Sequence, residues 1–443
     1  MATTMTEQAP RRSPLAFLGT GEARKVVLSS YLGSTIEFYD FILYATASSI
    51  VFGPVFFANL DPLVGTAASY ATFATGYLAR PIGGIVFGHF GDRIGRKRML
   101  MLSMTIMGLA SFLVGVVPPV ETWGAVMLVA LRAIQGIAIG GEWGGAALMS
   151  LEHADDRRRG LAASFANAGG PSGAFLGTAA LALVALMPRD QFLAWGWRLP
   201  FLFSLVLLVI GLYVRSKISE SPVFKAALAA EETKEQVKKV LPLAQVLKKP
   251  RTVLSVGLAG VGGFTIQATF STFAITYAVA HGVSESHGLW AFALSQLVAA
   301  VTIPVFASLS DRVGRRPVML AGVVGMALLA YPIFLLLGTG SFALVMLGFL
   351  VALPLLQALT FGPMAAFLAE NFSTTSRYTG ASLGYQMASL LGAGFTPLIV
   401  ASIFAASGGQ ITSVLWFLIP MCALSALALV FLTRESRHRD ISA

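Results

Sequence analysis

The stretch FGHFGDRIGRKRML at residues 87–100 returns as FASLSDRVGRRPVM at residues 306–319, 219 positions further on. Asp92 then matches Asp311, Arg93 matches Arg312, Gly95 matches Gly314 and Arg96 matches Arg315. A second pair follows. Glu152 stands seven residues before Arg159, and Glu370 seven before Arg377. Two elements recurring at nearly half the length of a 443-residue chain mark an internal duplication. Six-plus-six repeats around a site at the membrane midplane are one plan for secondary transporters.

What is duplicated is apolar. The chain is 56% hydrophobic and 12% charged, against about 25% charged in a soluble protein, and its mean hydropathy is +0.76. In lipid every backbone group must be paired within the chain, so helices are the default. Long continuous runs argue against a β-barrel, whose segments alternate over about ten residues. Twelve spans of membrane-crossing length can be drawn. Those of the first half cover 26–50, 64–88, 99–118, 123–147, 161–187 and 197–214. Those of the second cover 252–279, 288–309, 318–338, 342–367, 378–405 and 412–433. The expected organisation is a tail (1–24), a six-helix half (25–214), a polar linker (215–251), a second six-helix half (252–433) and a tail (434–443).

With both ends inside the cell, 27 of the 31 Lys and Arg fall in inner segments, which satisfies the positive-inside rule. The net charge of +10 is thereby explained by loops facing anionic lipid, without nucleic acid. The first 24 residues lack the apolar core and cleavage site of a signal peptide. The one cysteine, Cys422, excludes an internal disulfide and reads as a small buried residue. The histidines have no metal-ligand spacing inside a span, and there is no nucleophile set or phosphate-binding loop, so no enzyme and no cofactor is expected.

Charges inside the spans carry the functional reading. GSTIEFYDFILYATASS (33–49) places Glu37 and Asp40 in span one, where each charge costs about 2.5–3.5 kcal/mol on insertion scales. Three residues apart, they can share one helix face, with Tyr44 a turn beyond. Arg80 in span two and Arg132 in span four lie near mid-depth, and Glu142 lies ten residues beyond Arg132. At the 219-residue offset, Glu37, Asp40, Arg80 and Arg132 fall on Val256, Ala259, Ala299 and Val351. The repeat keeps its loop motifs and not its embedded charges. Proton and substrate chemistry is therefore expected in the first half, with Glu142 a further proton-coupling candidate. The second half offers Gln267, Gln357, Tyr385 and Gln386 as neutral wall. Desolvation and a nearby cation push a carboxyl in opposite directions, so Asp40 or Glu37, paired with Arg80 or Arg132, forms the expected proton relay. An arginine released by protonation would bind a substrate carboxylate bidentately.

At these residues the chain resembles the major facilitator superfamily. GHFGDRIGRKR is similar to its loop signature, and RAIQGIAIGGEWGG (132–145) to its span-four signature R-x-x-Q-G. STIEFYDF, LARPIGGIVFGHFGDR, GGEWGGA and WGWRLPFLFS look like the metabolite:proton symporter branch, whose members carry shikimate, α-ketoglutarate, citrate, or proline and betaine. The resemblance implies an all-α fold of twelve transmembrane helices in two pseudo-symmetric halves, in the inner membrane. It implies proton symport of a small polar metabolite, most readily an organic acid, by alternating access. A proline or betaine zwitterion stays open, as does drug:proton antiport, because ANAGGPSGAFLG (166–177) partly matches an antiporter signature. Glycine packing is the plainer reading of that stretch. Arg80, Arg132, Tyr44 and Gln135 join the second-half residues as substrate ligands. The resemblance also implies an inner charge network of Asp92, Arg93, Arg96, Glu152 and Arg159, mirrored by Asp311, Arg312, Arg315, Glu370 and Arg377. Ser308 replaces the first glycine of the second motif, which is expected to loosen its turn. The partners implied are a small-molecule substrate, protons and the bilayer, with the chain a monomer.

Overall fold

Among the described residues the apolar segments fall on twelve helical elements, eight of them long and apolar enough to cross a membrane. The computed structural model describes residues 21–94, 96–140, 159–216, 250–372 and 377–437. Glu142, Glu152 and nearly all of the linker lie outside the described residues, as do the side chains of Asp92, Arg93, Arg96, Arg159 and Arg377.

The first half runs α1 (Gly21–Ile50), α2 (Pro62–Ile94), α3 (Arg96–Val116), α4 (Glu121–Gly140), α5 (Arg159–Val184) and α6 (Arg198–Ser216). The second begins with α7, in two pieces (Pro250–Ser271 and Phe273–Ala280), then α8 (Glu285–Val313) and α9 (Arg315–Leu337). It continues with α10 (Phe342–Glu370) and α11, which is Arg377–Ser389 followed by Thr396–Ala406 across a π turn, and ends with α12 (Ile411–Leu432). Large apolar side chains such as Trp416, Phe431 and Leu328 stand outward, as a lipid-facing surface requires. The interior holds Tyr39, Tyr44, Phe52, Phe73, Trp197 and Phe270 with almost no exposed surface.

Backbone contacts at glycine set the helix crossings that matter for the site. A Cβ on Gly136 of α4 would sit 2.0 Å from the carbonyl oxygen of Gly76 in α2, and one on Gly140 would sit 2.0 Å from that of Arg80. Only glycine allows these two helices to touch by backbone, and that contact brings Arg80 and Arg132 to one level. The stretch 166–177 is used in the same way. A Cβ on Gly173 of α5 would stand 2.2 Å from the Thr35 carbonyl oxygen of α1. Its glycines are thus engaged in packing.

In α10 a π turn over Val351–Gln357 surrounds Pro354, which has no N–H for the regular ladder. The turn ends at Gln357, whose Nε2 donates to Gln267 Oε1 of α7 at 2.8 Å. The two loop motifs are more helical than a glycine turn implies. Gly91, Asp92 and Arg93 belong to α2, and Ser308 lies inside α8, where no glycine is needed. The turn of the second motif is made by Gly314 alone, at φ +116°.

Candidate functional site

From α1, the sequence EFYDF sends both carboxylates to α6 and the Phe41 ring to the two buried arginines. Glu37 Oε1 lies 3.5 Å from Arg215 Nη2. Asp40 Oδ1 accepts a 2.5 Å hydrogen bond from Ser204 Oγ. Asp40 and Glu37 are buried, at 1% and 7% exposed. Tyr39 is directed to α6 as well, donating to the Pro200 carbonyl at 2.8 Å.

The arginines have no carboxylate beside them among the described residues. Their positive faces are covered by rings instead. Arg132 Cζ stands 4.0 Å from the centroid of Phe41, 4.4 Å from Tyr44 and 4.7 Å from Phe73. Arg80 Cζ stands 4.4 Å from Phe41 and 4.1 Å from Tyr77. Phe41, next to Asp40 in sequence, is thus stacked on both cations. Such contacts contribute about 2 kcal/mol or more where water is excluded, but a ring face takes no N–H bond in the guanidinium plane. Arg132 Nη1 donates to Gln135 Oε1 at 2.9 Å. Arg132 Nε and Nη2 and Arg80 Nε find no acceptor among the described residues. Buried donors without partners are rare in native proteins and call for an explanation.

The expected direct pairing of Asp40 or Glu37 with Arg80 or Arg132 is therefore absent from the described contacts. Glu37 has Arg215, and Asp40 has the Ser204 hydroxyl. Gln135 is fully buried and occupied on both sides, with Nε2 donating to Ser111 Oγ at 2.8 Å. Tyr44 donates to Thr72. In the second half, Gln267 and Gln357 bond each other, and Gln386 Nε2 donates to the Gly140 carbonyl at 3.2 Å. Tyr385 packs edge-on to Phe264, with ring centroids 5.0 Å apart.

Polar contacts join the halves at both ends. At the end with the loop motifs, Asp311 Oδ1 and Oδ2 accept the backbone N–H groups of Gly160 and Leu161 at 3.0 Å each, in the first turn of α5. Arg315 is paired with Asp311 at 2.6 Å and with Glu370 at 3.0 Å, all three buried or nearly so. Arg312 is exposed, and its carbonyl, not its guanidinium, enters the cluster by accepting from Arg437. The segment after α12 closes this cluster. Glu435 accepts the N–H groups of Arg315 and Arg316 at 2.9 and 3.1 Å, and Ser436 Oγ donates to Glu370 at 2.6 Å. Burial alone would push the Glu435 carboxyl up. Four backbone N–H donors, from Arg315, Arg437, Arg316 and Ser436, reverse that and hold it below the ordinary carboxylate range. At the opposite end Arg189 pairs with Glu285, and Tyr70 bonds Thr276 at 2.8 Å.

A two-halved bundle of spanning helices that buries two arginines with no carboxylate beside them among the described residues is the construction of a membrane transporter, not of an enzyme. The chain belongs to the Major Facilitator Superfamily, whose family model matches residues 41–289 and 258–443. It is 42% identical over 430 residues to the "Inner membrane metabolite transport protein YhjE" of Escherichia coli, covering 94% of this chain and 95% of that one. It is 37% identical over 426 residues to the "Shikimate transporter" of the same organism, covering 95% and 97%. Among solved structures, the xylose transporter XylE from E. coli, in a partially occluded inward-open conformation, aligns with a TM-score of 0.76 at 18% identity, over 95% of this chain and all of that one.

The sequence left several site residues unnoticed. Arg215 counts there as one more linker base. Ser111 and Ser204 are hydroxyls in apolar helices, which usually bond back to their own backbone, as Ser48 and Ser49 do here. Nothing sets Phe41, Phe73 and Tyr77 apart from the other aromatics of the spans.

Proposed function

We propose that this protein is a proton-coupled symporter of the inner membrane that takes up a small organic anion by alternating access, with both chain ends in the cytoplasm. The observation carrying the proposal is the pair of buried arginines. Their faces are covered by rings, and Arg80 Nε, Arg132 Nε and Arg132 Nη2 have no acceptor among the described residues, which leaves in-plane donors ready for a carboxylate, the geometry a guanidinium prefers. Arg132 and Arg80 would hold the substrate carboxylate, and the Gln267–Gln357 pair would meet its hydroxyl or carbonyl groups. Asp40 would carry the proton. It is a buried carboxyl that accepts from Ser204 and has no cation beside it among the described residues. Glu37 would stay paired with Arg215. The shikimate and metabolite transport relatives support an acidic substrate.

A second reading comes from the "Proline/betaine transporter" of E. coli, 33% identical over 405 residues. A quaternary ammonium needs an open aromatic face. The faces of Phe41, Tyr44, Phe73 and Tyr77 at this site are occupied by the protein's own arginines, which favours the anion. The test is uptake into proteoliposomes of shikimate, α-ketoglutarate, citrate, proline and betaine under an inward proton gradient. Accumulation of one of the acids, abolished by a protonophore, is the expected result. In Asp40→Asn, exchange without accumulation is expected. Accumulation of betaine alone, or expulsion of a lipophilic cation under the opposite gradient, refutes the proposal.

A further inference from the structure

Where α12 ends, lipid-facing side chains give way at once to arginine. Phe431 and Leu432 stand outward on its last turn, and Val313 does the same on the last turn of α8. The cations bordering them are Arg434 and Arg437 after α12, and Arg312 and Arg316 at the α8–α9 turn.

These four belong to one surface. The segment 434–437 lies across the α8–α9 turn, since Glu435 accepts the N–H groups of Arg315 and Arg316, and Arg437 Nη1 donates to the Arg312 carbonyl. Arg316 reaches the other way, donating from Nε and Nη2 to the Leu429 and Val430 carbonyls at 2.7 and 2.9 Å, which sets it against the end of α12. Arg312 and Arg434 are exposed, and neither guanidinium has a carboxylate partner among the described residues.

The acids that could neutralise this patch are turned away from it. Asp311 holds the start of α5 and Arg315, and Glu370 holds Arg315 and Ser436. Glu435 faces backbone N–H groups of Arg315, Arg316, Ser436 and Arg437. The bonds made by the side chains of Arg316 and Arg437 go to carbonyls, which leave their charge in place. Four positive charges therefore border an apolar face that lies against lipid.

A phospholipid is the neighbour that presents both a phosphate and apolar chains at such a boundary. Guanidinium groups pair bidentately with phosphate oxygens, and basic clusters between spans at the membrane surface suit anionic headgroups. We propose that Arg312, Arg316, Arg434 and Arg437 hold the phosphodiester of one anionic phospholipid, whose acyl chains lie along Phe431, Leu432 and Val313. On the orientation given above, this lipid belongs to the cytoplasmic leaflet. It ties the tail to α8 and α9 from outside, beside the bonds that Glu435 and Arg437 make within. Attraction of basic loops to a negative membrane is shared by every arginine at this end of the bundle, whereas a site depends on these four.

The test is native mass spectrometry of the full chain in detergent, titrated with phosphatidylglycerol or phosphatidylcholine. Wild type should retain phosphatidylglycerol at least about tenfold more tightly than phosphatidylcholine. An arginine at an anionic surface is worth about fivefold in affinity, so Arg312→Gln and Arg434→Gln should each lose about that factor and the double variant about 25-fold. Arg98, exposed in the first turn of α3 beside the first loop motif, is the control, and Arg98→Gln should change affinity by less than about twofold. Both single variants should melt like wild type without added lipid, because the two side chains are exposed. Glycerol 3-phosphate in large excess should displace none of the lipid, since it has no chain to lay on Phe431 and Leu432. Displacement by it would make this a site for free phosphate and overturn the proposal. Equal loss in Arg98→Gln, or no preference for phosphatidylglycerol in wild type, would reduce the patch to unspecific attraction and overturn it as well.

Discussion

Removing the Asp311 carboxylate is expected to unlatch the two halves at the end that carries the loop motifs. Asp311 belongs to α8 of the second half, and its two oxygens accept the N–H groups of Gly160 and Leu161 in α5 of the first. A helix start has N–H groups with no partner within the helix, and a negative charge there is favourable. Hydrogen bonds to charged groups contribute about 1.5–3 kcal/mol each, so the two together give about 3 kcal/mol at the low end. In Asp311→Ala that is about a 150-fold shift of the equilibrium toward the separated arrangement. Arg315 keeps Glu370 at 3.0 Å, so the loss falls mainly on the joint between halves. The assay is maleimide labelling of a cysteine at Ser164, fully buried one turn beyond Gly160. The native Cys422 is buried and gives a quiet background. While the open form is the minority, the labelling rate follows its population and should rise about 100-fold. Asp311→Asn, which keeps one acceptor oxygen, should fall between. A rise below about threefold, in a variant that melts like wild type, would refute the assignment of these two bonds as the latch.

Three further outcomes follow from contacts described above. Arg215→Gln leaves Glu37 buried without its cation and should cost about 3–5 kcal/mol in thermal unfolding, with most of the loss recovered in the double variant with Glu37→Gln. Gly136→Ala places a methyl 2.0 Å from the Gly76 carbonyl oxygen. It should destabilise by about 1–3 kcal/mol and, by displacing Arg132 one turn away, reduce uptake more than it reduces the folded fraction. Glu435→Gln should remove about 1 kcal/mol of helix capping at pH 7. The folded carboxyl of Glu435 lies below its unfolded value, so this contribution is full above about pH 4.3 and is lost as pH falls through the folded value. Melting followed from pH 7 down to pH 3 should show an acid-sensitive component in wild type that the variant lacks.

The sequence exposed this architecture because lipid punishes exceptions. An apolar run of membrane length has few alternatives to a helix, and a repeated DRxGR motif dates the duplication without any structure. The charges stood out for the same reason, since Asp40, Arg80 and Arg132 are costly wherever they lie. Their partners did not. Whether Asp40 meets Arg132 or Ser204 depends on the rotation of α1 against α6, and residue spacing along one helix does not fix the register between two. The break at Thr272, with φ −132° and ψ −85°, was hidden because the flanking residues are uniformly apolar. Glu435 was hidden by context, as one acid in a short charged tail carries no mark of the helix start 120 residues earlier that it caps.

That 120-residue separation sets an order of assembly. α9 enters the bilayer when Arg315 and Arg316 have been made, but the carboxylate that accepts their N–H groups is synthesised after three more spans. At about 5–20 residues per second, the start of α9 waits about 6–24 s for its cap. Ser436, which bonds Glu370, arrives one residue later. A chain cut after Arg434 would keep every span and lack the clasp that Glu435 and Ser436 make on this corner.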